Sequence, residues 1–140
     1  MSCRSAARVE HGGPKASYAP SRDTIFMPDR TAFETAAHYY ATRAHETIHW
    51  SGHKSRLDRD LSTRFGGHGY AAEELVAELG TAFTCAHLGI KAELRHAGYI
   101  NSWIKLLGDH ARAIFTAASK ASAATDYLMD LSGQENALAA

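Results

Sequence analysis

The sequence predicts an α+β domain in which a small N-terminal antiparallel sheet is followed by about four helices. Residues 6–27 are punctuated by turn signals and contain β-branched and aromatic residues in short runs. After Pro28 the pattern becomes helical over most of the remaining chain. With 140 residues, 45% of them hydrophobic, the chain is long enough for one domain with its own core.

Three short runs are the candidate strands. The segments ARVEH and KASYAP flank the turn signal GGP, and DTIFMP follows them. We expect a hairpin or a three-stranded sheet from these runs. A sheet this small needs helices to pack against.

The helices have recognisable ends. Thr31 to Glu34, TAFE, fits a capping box at the start of the first helix, and Gly89 stands in the usual position after the end of the second. The predicted helices cover residues 31–51, 70–88, 92–107 and 109–131.

The folded domain is expected to span residues 6–131. Residues 1–5 are predicted to be a disordered start, and the polar segment SGQENALAA makes 132–140 a flexible tail.

Composition argues against several classes of protein. Fifteen basic residues balance fifteen acidic ones, so no net charge draws the domain to nucleic acid or to an anionic membrane. Two cysteines do not make a disulfide framework. No apolar run reaches the roughly 18 residues of a membrane span, and the start MSCRSAARVEHGG lacks a signal-peptide core. We therefore expect a cytoplasmic protein with no membrane partner.

The segment AHETIHWSGH, residues 44–53, predicts a metal site. His45 and His49 are four positions apart on a predicted helix, so they project from one face and can bind one ion. Glu46 lies on the same side without occupying a ligand position, so it can act as a general base on a metal-bound water. The nine histidines of the chain make metal chemistry worth testing.

A catalytic zinc normally has three protein ligands, so a third ligand is needed. Ser55 stands where the pattern HExxHxxGxxH has its last histidine, and His53 comes too early, so we expect His53 to be a loop histidine bonded to backbone. In the second helix, EELVAE offers Glu74 and Glu78 on one face. Glu74 is the expected ligand, and Glu78 is expected to support the first histidine. Glu73 points about 100° away from Glu74 and is predicted to face solvent.

Three residues near predicted helix ends are candidate hydrogen-bond donors to the oxyanion of a tetrahedral intermediate: Tyr70, His96 and Tyr99. Each could instead be an ordinary packing residue. We favour the packing role over the donor role for Tyr70 and Tyr99, whereas for His96 the two roles are more evenly balanced.

The segment HKSRLDRDLSTR contains four basic residues and is read either as a docking patch for DNA or an acidic protein, or as a solvated loop. Interspersed aspartates favour the solvated loop. The basic residues are Lys54, Arg56, Arg59 and Arg64.

Several separate motifs, in order, resemble the metallopeptidase domain of the antirestriction ArdC family and of related polyvalent proteins of plasmids and phages. They are ASYAPSRDTIFMP, HETIHWSGHKSRLDRD, YAAEELVAELGTAFTCAHLGI, HAGYINSWIKLL and IFTAASKASAATDYL, and together they cover about residues 8–130. The resemblance implies a zincin-like fold and a zinc-dependent peptidase-type site acting on a protein substrate. It also implies that His45, His49 and Glu74 are the Zn²⁺ ligands and that Glu46 is the general base.

The chain departs from the ArdC pattern at its start. ArdC-type members carry an N-terminal single-stranded-DNA-binding domain, whereas this sequence begins almost at the predicted sheet, so DNA binding is not carried over.

Three functions compete on these observations. The first is a zinc metallopeptidase of mobile-element type, the second a non-proteolytic, DNA-associated antirestriction module with a structural metal, and the third a helical domain without metal. Glu46 distinguishes the first two, because a structural site has no use for an unliganded carboxylate beside the ion.

Overall fold

A three-stranded sheet forms the N-terminal part of the fold, as predicted. The computed structural model describes residues 6–61, 68–91 and 97–139. The strands are β1 (Arg8–His11), β2 (Ser17–Ala19) and β3 (Thr24–Met27), and their order in the sheet is β1-β3-β2.

The strands pair in a mixed sheet, so the prediction of an antiparallel sheet was wrong for β1. Ile25 of β3 lies opposite Val9 of the parallel neighbour β1 and opposite Tyr18 of the antiparallel neighbour β2. The turn at GGP does not close a hairpin, because β3 separates the strands on either side of it. Ile25 and Met27 are fully buried, which explains why the most apolar strand takes the central position.

Helix α1 (Ala36–Ser51) starts later than predicted and ends where predicted. The capping box at Thr31 does not form, since Arg30–Ala32 make a single 3₁₀ turn and Phe33 is extended. Thr35 is the actual N-cap, and its side chain accepts a hydrogen bond from the backbone N–H of His38 at 3.1 Å.

Helix α2 (His68–Leu88) ends as predicted, at Gly89, whose φ of +69° is the left-handed conformation that glycine adopts most readily. Helix α3 (Ala97–Asp109) follows, and the predicted start at residue 92 lies outside the described residues. No helix in the described ranges is both long and apolar enough to cross a membrane.

Helix α4 (Ala113–Ala139) continues well past residue 131, so the residues predicted as a tail are helical up to 139. Leu131, the last residue of the predicted helix, is buried against the core. Gly133 does not stop the helix, because an interior glycine costs only about 1 kcal/mol relative to alanine.

Two clusters make up the core. One joins α1, α2 and α4, and Ile48 is fully buried within it. Ile48 packs directly on Gly80 of α2, where an added Cβ would lie 2.9 Å from its side chain, so the glycine permits the two helices to come this close. The other cluster joins the sheet to α1 and α4 and contains Ile25, Met27, Tyr39, Trp50 and Leu131.

Truncating Ile48 to alanine is expected to lower the free energy of unfolding by about 2–5 kcal/mol, because it leaves a cavity between α1 and α2. Chemical denaturation followed by circular dichroism would measure the change. Ile104→Ala is the matched control, because Ile104 is 64% exposed on α3 and should lose little stability. Equal losses for the two variants would contradict this account of the core.

Candidate metal centre

The first half of the centre comes from α1. His45 and His49 lie one helical turn apart, with ring centroids separated by 4.9 Å. Their side chains are only 9% and 12% exposed. The four-residue spacing therefore brings the two imidazoles together on the face that α1 turns towards α2, as predicted.

Glu74 of α2 completes the group by bridging the two imidazoles. Its Oε2 lies 3.2 Å from Nε2 of His45, and its Oε1 lies 3.0 Å from Nε2 of His49. The potential ligand atoms of the three residues all lie within 4.8 Å of one another. Two imidazole nitrogens and one carboxylate are a donor set suited to a divalent transition metal.

The other nitrogen of each ring also meets a carboxylate. Oε1 of Glu78 lies 2.8 Å from Nδ1 of His45, the contact that the sequence predicted for Glu78. Oε1 of Glu73 lies 3.1 Å from Nδ1 of His49. A carboxylate at Nδ1 holds the proton there, so that Nε2 is left to face a metal.

The prediction that Glu73 faces solvent was wrong. It is only 8% exposed, because the loop after α1 folds over its side of α2. From that loop Arg59 donates to both of its oxygens, from Nη2 to Oε1 at 2.9 Å and from Nε to Oε2 at 3.1 Å. Glu73 therefore faces His49 beside Glu74 and is covered by the loop.

The loop after α1 also turns two of its arginines, Arg56 and Arg59, inwards. At these two positions it is therefore not the solvated loop that the sequence favoured. Nor is it an exposed basic patch there. Arg56 donates from Nε to the carbonyl of Trp50 at 2.7 Å, lies 3.8 Å from the centre of a Trp50 ring, and forms an ion pair with Asp23. Arg59 is 5% exposed at its side chain. Lys54 is exposed, and Arg64 lies outside the described residues.

The neighbouring carboxylates determine the direction in which the pKa values of the two imidazoles are shifted. Burial alone would lower their pKa values, but hydrogen bonds to carboxylates outweigh it. Contacts with Glu74 and Glu78 raise the pKa of His45 to about 10, and contacts with Glu73 and Glu74 raise the pKa of His49 to about 9. The carboxylates around the two rings therefore favour positive charge at this position.

The pKa values of Glu73 and Glu74 are lowered rather than raised. Burial would raise the pKa of Glu74, yet the two imidazoles hold it at about 2. Burial would likewise raise the pKa of Glu73, but His49 and Arg59 lower it. Both carboxylates are therefore ionised and available to a cation or to its ligands at neutral pH.

An open pocket of about 260 Å³ exposes this group to solvent. Glu46, 8% exposed, lines it together with His45, His49 and Glu74. The strand β2 also lines the pocket through Ser17 and Tyr18, as do Ala16 and Pro20 on either side of the strand.

The remaining candidates have different positions. Tyr70 lines the same pocket with a half-buried side chain. His96 lies outside the described residues, as does the side chain of Tyr99. His53 is a loop histidine, as expected, because its Nδ1 accepts a hydrogen bond from the backbone N–H of Ser55 at 3.2 Å.

Known proteins are similar in sequence to most of this chain. The uncharacterized protein y4eC of Sinorhizobium fredii is 50% identical over 122 residues, which are 86% of this chain and 40% of that protein. The DNA primase TraC of Escherichia coli is 46% identical over 127 residues, which are 89% of this chain and 9% of the primase. The chain thus spans less than half the length of either relative.

Solved structures of the antirestriction protein ArdC from plasmid R388 share the fold. The Mn(II)-bound form has a TM-score of 0.82 and 44% identity, covering 89% of this chain and 48% of ArdC. The metal-free form has the same TM-score and 43% identity. A family model described as zincin-like metallopeptidase matches residues 1–120. The resemblance seen in the sequence is confirmed, and the chain belongs to the zincin-like metallopeptidase family.

Proposed function

We propose that this domain is a zinc-dependent peptidase of mobile-element, ArdC-like type, in which Glu46 activates water for peptide hydrolysis. The observation that carries this proposal is the position of Glu46. It lies in the pocket wall beside the group formed by His45, His49 and Glu74, yet it is not a member of that group. A metal with a purely structural role would have no use for such a carboxylate.

The ligands in this proposal are the Nε2 atoms of the two histidines and the carboxylate of Glu74. Three protein ligands leave an open coordination position, as in catalytic zinc sites. When bound, the ion supplies Lewis acidity, which polarises a carbonyl and makes water more acidic. Glu78 and Glu73 orient the histidines from Nδ1.

Glu46 then has two tasks. It takes the proton of the attacking water and hands it to the leaving amine. Tyr70, which lines the same pocket, is the candidate donor of a hydrogen bond to the developing oxyanion. His96 and Tyr99 remain candidates for that role on sequence grounds alone.

The proposed substrate is an extended segment of a protein. In the described sheet β2 is an edge strand, paired with β3 on one side, and its residues Ser17 and Tyr18 line the same pocket as the two histidines. An extended peptide can pair with such an edge through main-chain hydrogen bonds, which would bring its backbone carbonyls close to Glu46.

A second candidate is a non-proteolytic, DNA-associated antirestriction module with a structural metal. The names of two relatives, an antirestriction protein and a DNA primase, favour it. The inward orientation of Arg56 and Arg59 weighs against it, because neither guanidinium is available for phosphate in the described loop.

The first test is metal content. Purified protein is expected to bind about one zinc per chain, and His45→Ala or His49→Ala to abolish binding. Zinc added to the metal-free protein should raise its melting temperature, because a ligand that binds the folded state stabilises it.

His53→Ala is the matched control for these variants. His53 is a nearby histidine bonded within its own loop, so this variant should keep its zinc. Absence of metal in the wild type, with no change in melting temperature, would refute the proposal. Loss of zinc in His53→Ala would mean that the ligands are wrongly assigned.

A further inference from the structure

Glu73 lies between a metal-site histidine and a buried arginine. Its Oε1 lies 3.1 Å from Nδ1 of His49 and accepts from Nη2 of Arg59 at 2.9 Å. Its Oε2 accepts from Nε of the same arginine at 3.1 Å. The guanidinium therefore holds both carboxylate oxygens in a two-pronged contact, which fixes the plane of the carboxylate as well as its distance.

Arg59 is itself anchored to the end of α1. Its Nη2 donates to the carbonyl of Ile48 at 2.6 Å, and its Nη1 donates to Oγ of Ser51 at 3.1 Å. The backbone of Gly52 packs against the guanidinium, where an added Cβ would lie 2.8 Å from Cζ. The arginine thus occupies a fitted site made by α1 and the residue after it.

These contacts form a closed circuit. The end of α1 holds Arg59, Arg59 holds Glu73 of α2, and Glu73 holds the ring of His49, which is back on α1. Groups that are buried and doubly bonded in this way have few alternative positions, so the orientation of the His49 ring is determined by the whole circuit.

We infer that Arg59 is a positioning residue of the metal centre, which acts on His49 through Glu73. The inference rests on the proposed function, in which His49 is a ligand. It predicts that replacing Arg59 weakens metal binding although Arg59 touches neither the metal position nor any proposed ligand. The effect should require a carboxylate at position 73.

A double-mutant cycle tests this dependence. The variants are Arg59→Gln, Glu73→Gln and the two combined, and the measurement is the affinity for Co²⁺ in competition with a chelator. Co²⁺ accepts the same nitrogen and oxygen ligands, and its visible absorption spectrum reports the geometry of those ligands. Neither readout needs a peptide substrate.

Arg59→Gln is expected to weaken Co²⁺ binding by about 10–100-fold and to alter the visible spectrum, as the loss of an outer partner of a metal ligand does. In the Glu73→Gln background the same substitution should change affinity by less than about 2-fold, because the path through which it acts is gone. Equal weakening in both backgrounds, or no weakening in either, would overturn the inference.

Arg56→Gln is the matched control. Arg56 lies in the same loop and also donates to a carbonyl at the end of α1, but its carboxylate partner is Asp23, which is not among the carboxylates that contact His45 and His49. This variant should leave Co²⁺ affinity and spectrum unchanged. A loss equal to that of Arg59→Gln would show that general loosening of the loop is responsible, and the inference would fail.

A substitute variant and the Co²⁺ affinity of the wild type cover the two cases that the cycle alone does not. If Arg59→Gln does not fold, Arg59→Lys takes its place in the cycle under the same criterion, since it keeps the charge and loses the two-pronged contact. A wild-type protein that binds no Co²⁺ would instead refute the proposed metal centre, which is a different failure from additivity in the cycle.

Discussion

Replacing Glu46 with glutamine should lower peptidase activity by about 100-fold or more, the contribution expected of a positioned general base. Glutamine keeps the size of the side chain and part of its hydrogen bonding, but it cannot accept the proton of the attacking water. Because Glu46 lies outside the group of proposed ligands, the variant should fold and keep its metal.

The activity can be measured by self-cleavage, or by unbiased proteomics of cells that express the domain. Glu34→Gln is the matched control, because it makes the same substitution at an exposed glutamate before α1 and should retain full activity. If wild type and Glu46→Gln gave the same cleavage products, or the same protection from restriction in a conjugation assay, the peptidase proposal would fail. The non-proteolytic module would then replace it.

The second large effect is expected at Glu74. Its two oxygens face the Nε2 atoms of both histidines, so Glu74→Ala should remove the carboxylate ligand and abolish zinc binding at micromolar metal. Glu78 contacts only the Nδ1 side of His45 in this group, so Glu78→Ala should weaken binding by about 10–100-fold.

Zinc content after dialysis and titration with a chelator would rank the two variants. Each removes one buried carboxylate from α2, so each serves as the control for the other's effect on folding. A greater loss of zinc in Glu78→Ala would show that the roles assigned to the two carboxylates are exchanged.

Sequence reasoning could predict the inner part of the site because helix periodicity determines it. The four-residue spacings of His45 with His49 and of Glu74 with Glu78 put each pair on one face. A buried carboxylate pair also needs a cation nearby, so the carboxylate face of α2 is expected to pack against the histidine face of α1. The contact of Glu78 with His45 was predicted from a common arrangement of zinc sites, in which an acid four residues after the ligand glutamate bonds the first histidine.

Glu73 and Arg59 could not be found in the same way. Periodicity separates Glu73 from Glu74 around α2, but it gives no information about what covers the side of the helix on which Glu73 lies. That cover comes from an irregular loop whose sequence has no repeating pattern. Asp58 within it adopts a φ of +51°. The one signal in the sequence was a second glutamate beside a predicted ligand, with arginines in the connecting loop.

The errors in the fold have a common physical origin in non-local contacts. The parallel pairing of β1 with β3 joins strands that no short turn connects, so local turn signals favoured a hairpin instead. Thr31 and Thr35 are both acceptable caps, and the later one caps α1 because residues 30–33 form a 3₁₀ turn that ends in an extended residue. Leu131 at the predicted end of α4 packs in the cluster beneath the sheet, a contact that local sequence signals do not report.

The last of these contacts bears on how the domain can be carried by other proteins. Val9 of the first strand and Leu131 of the last helix pack in one cluster, so the first and last elements of the fold are in contact. The pocket is lined from β2, α1, α2 and residues beside them, all of which lie between these two elements along the chain. A unit whose first and last elements pack on each other can be joined to different neighbouring domains without disturbing its interior. This suits relatives in which the matching segment ranges from 9% to 48% of the whole protein.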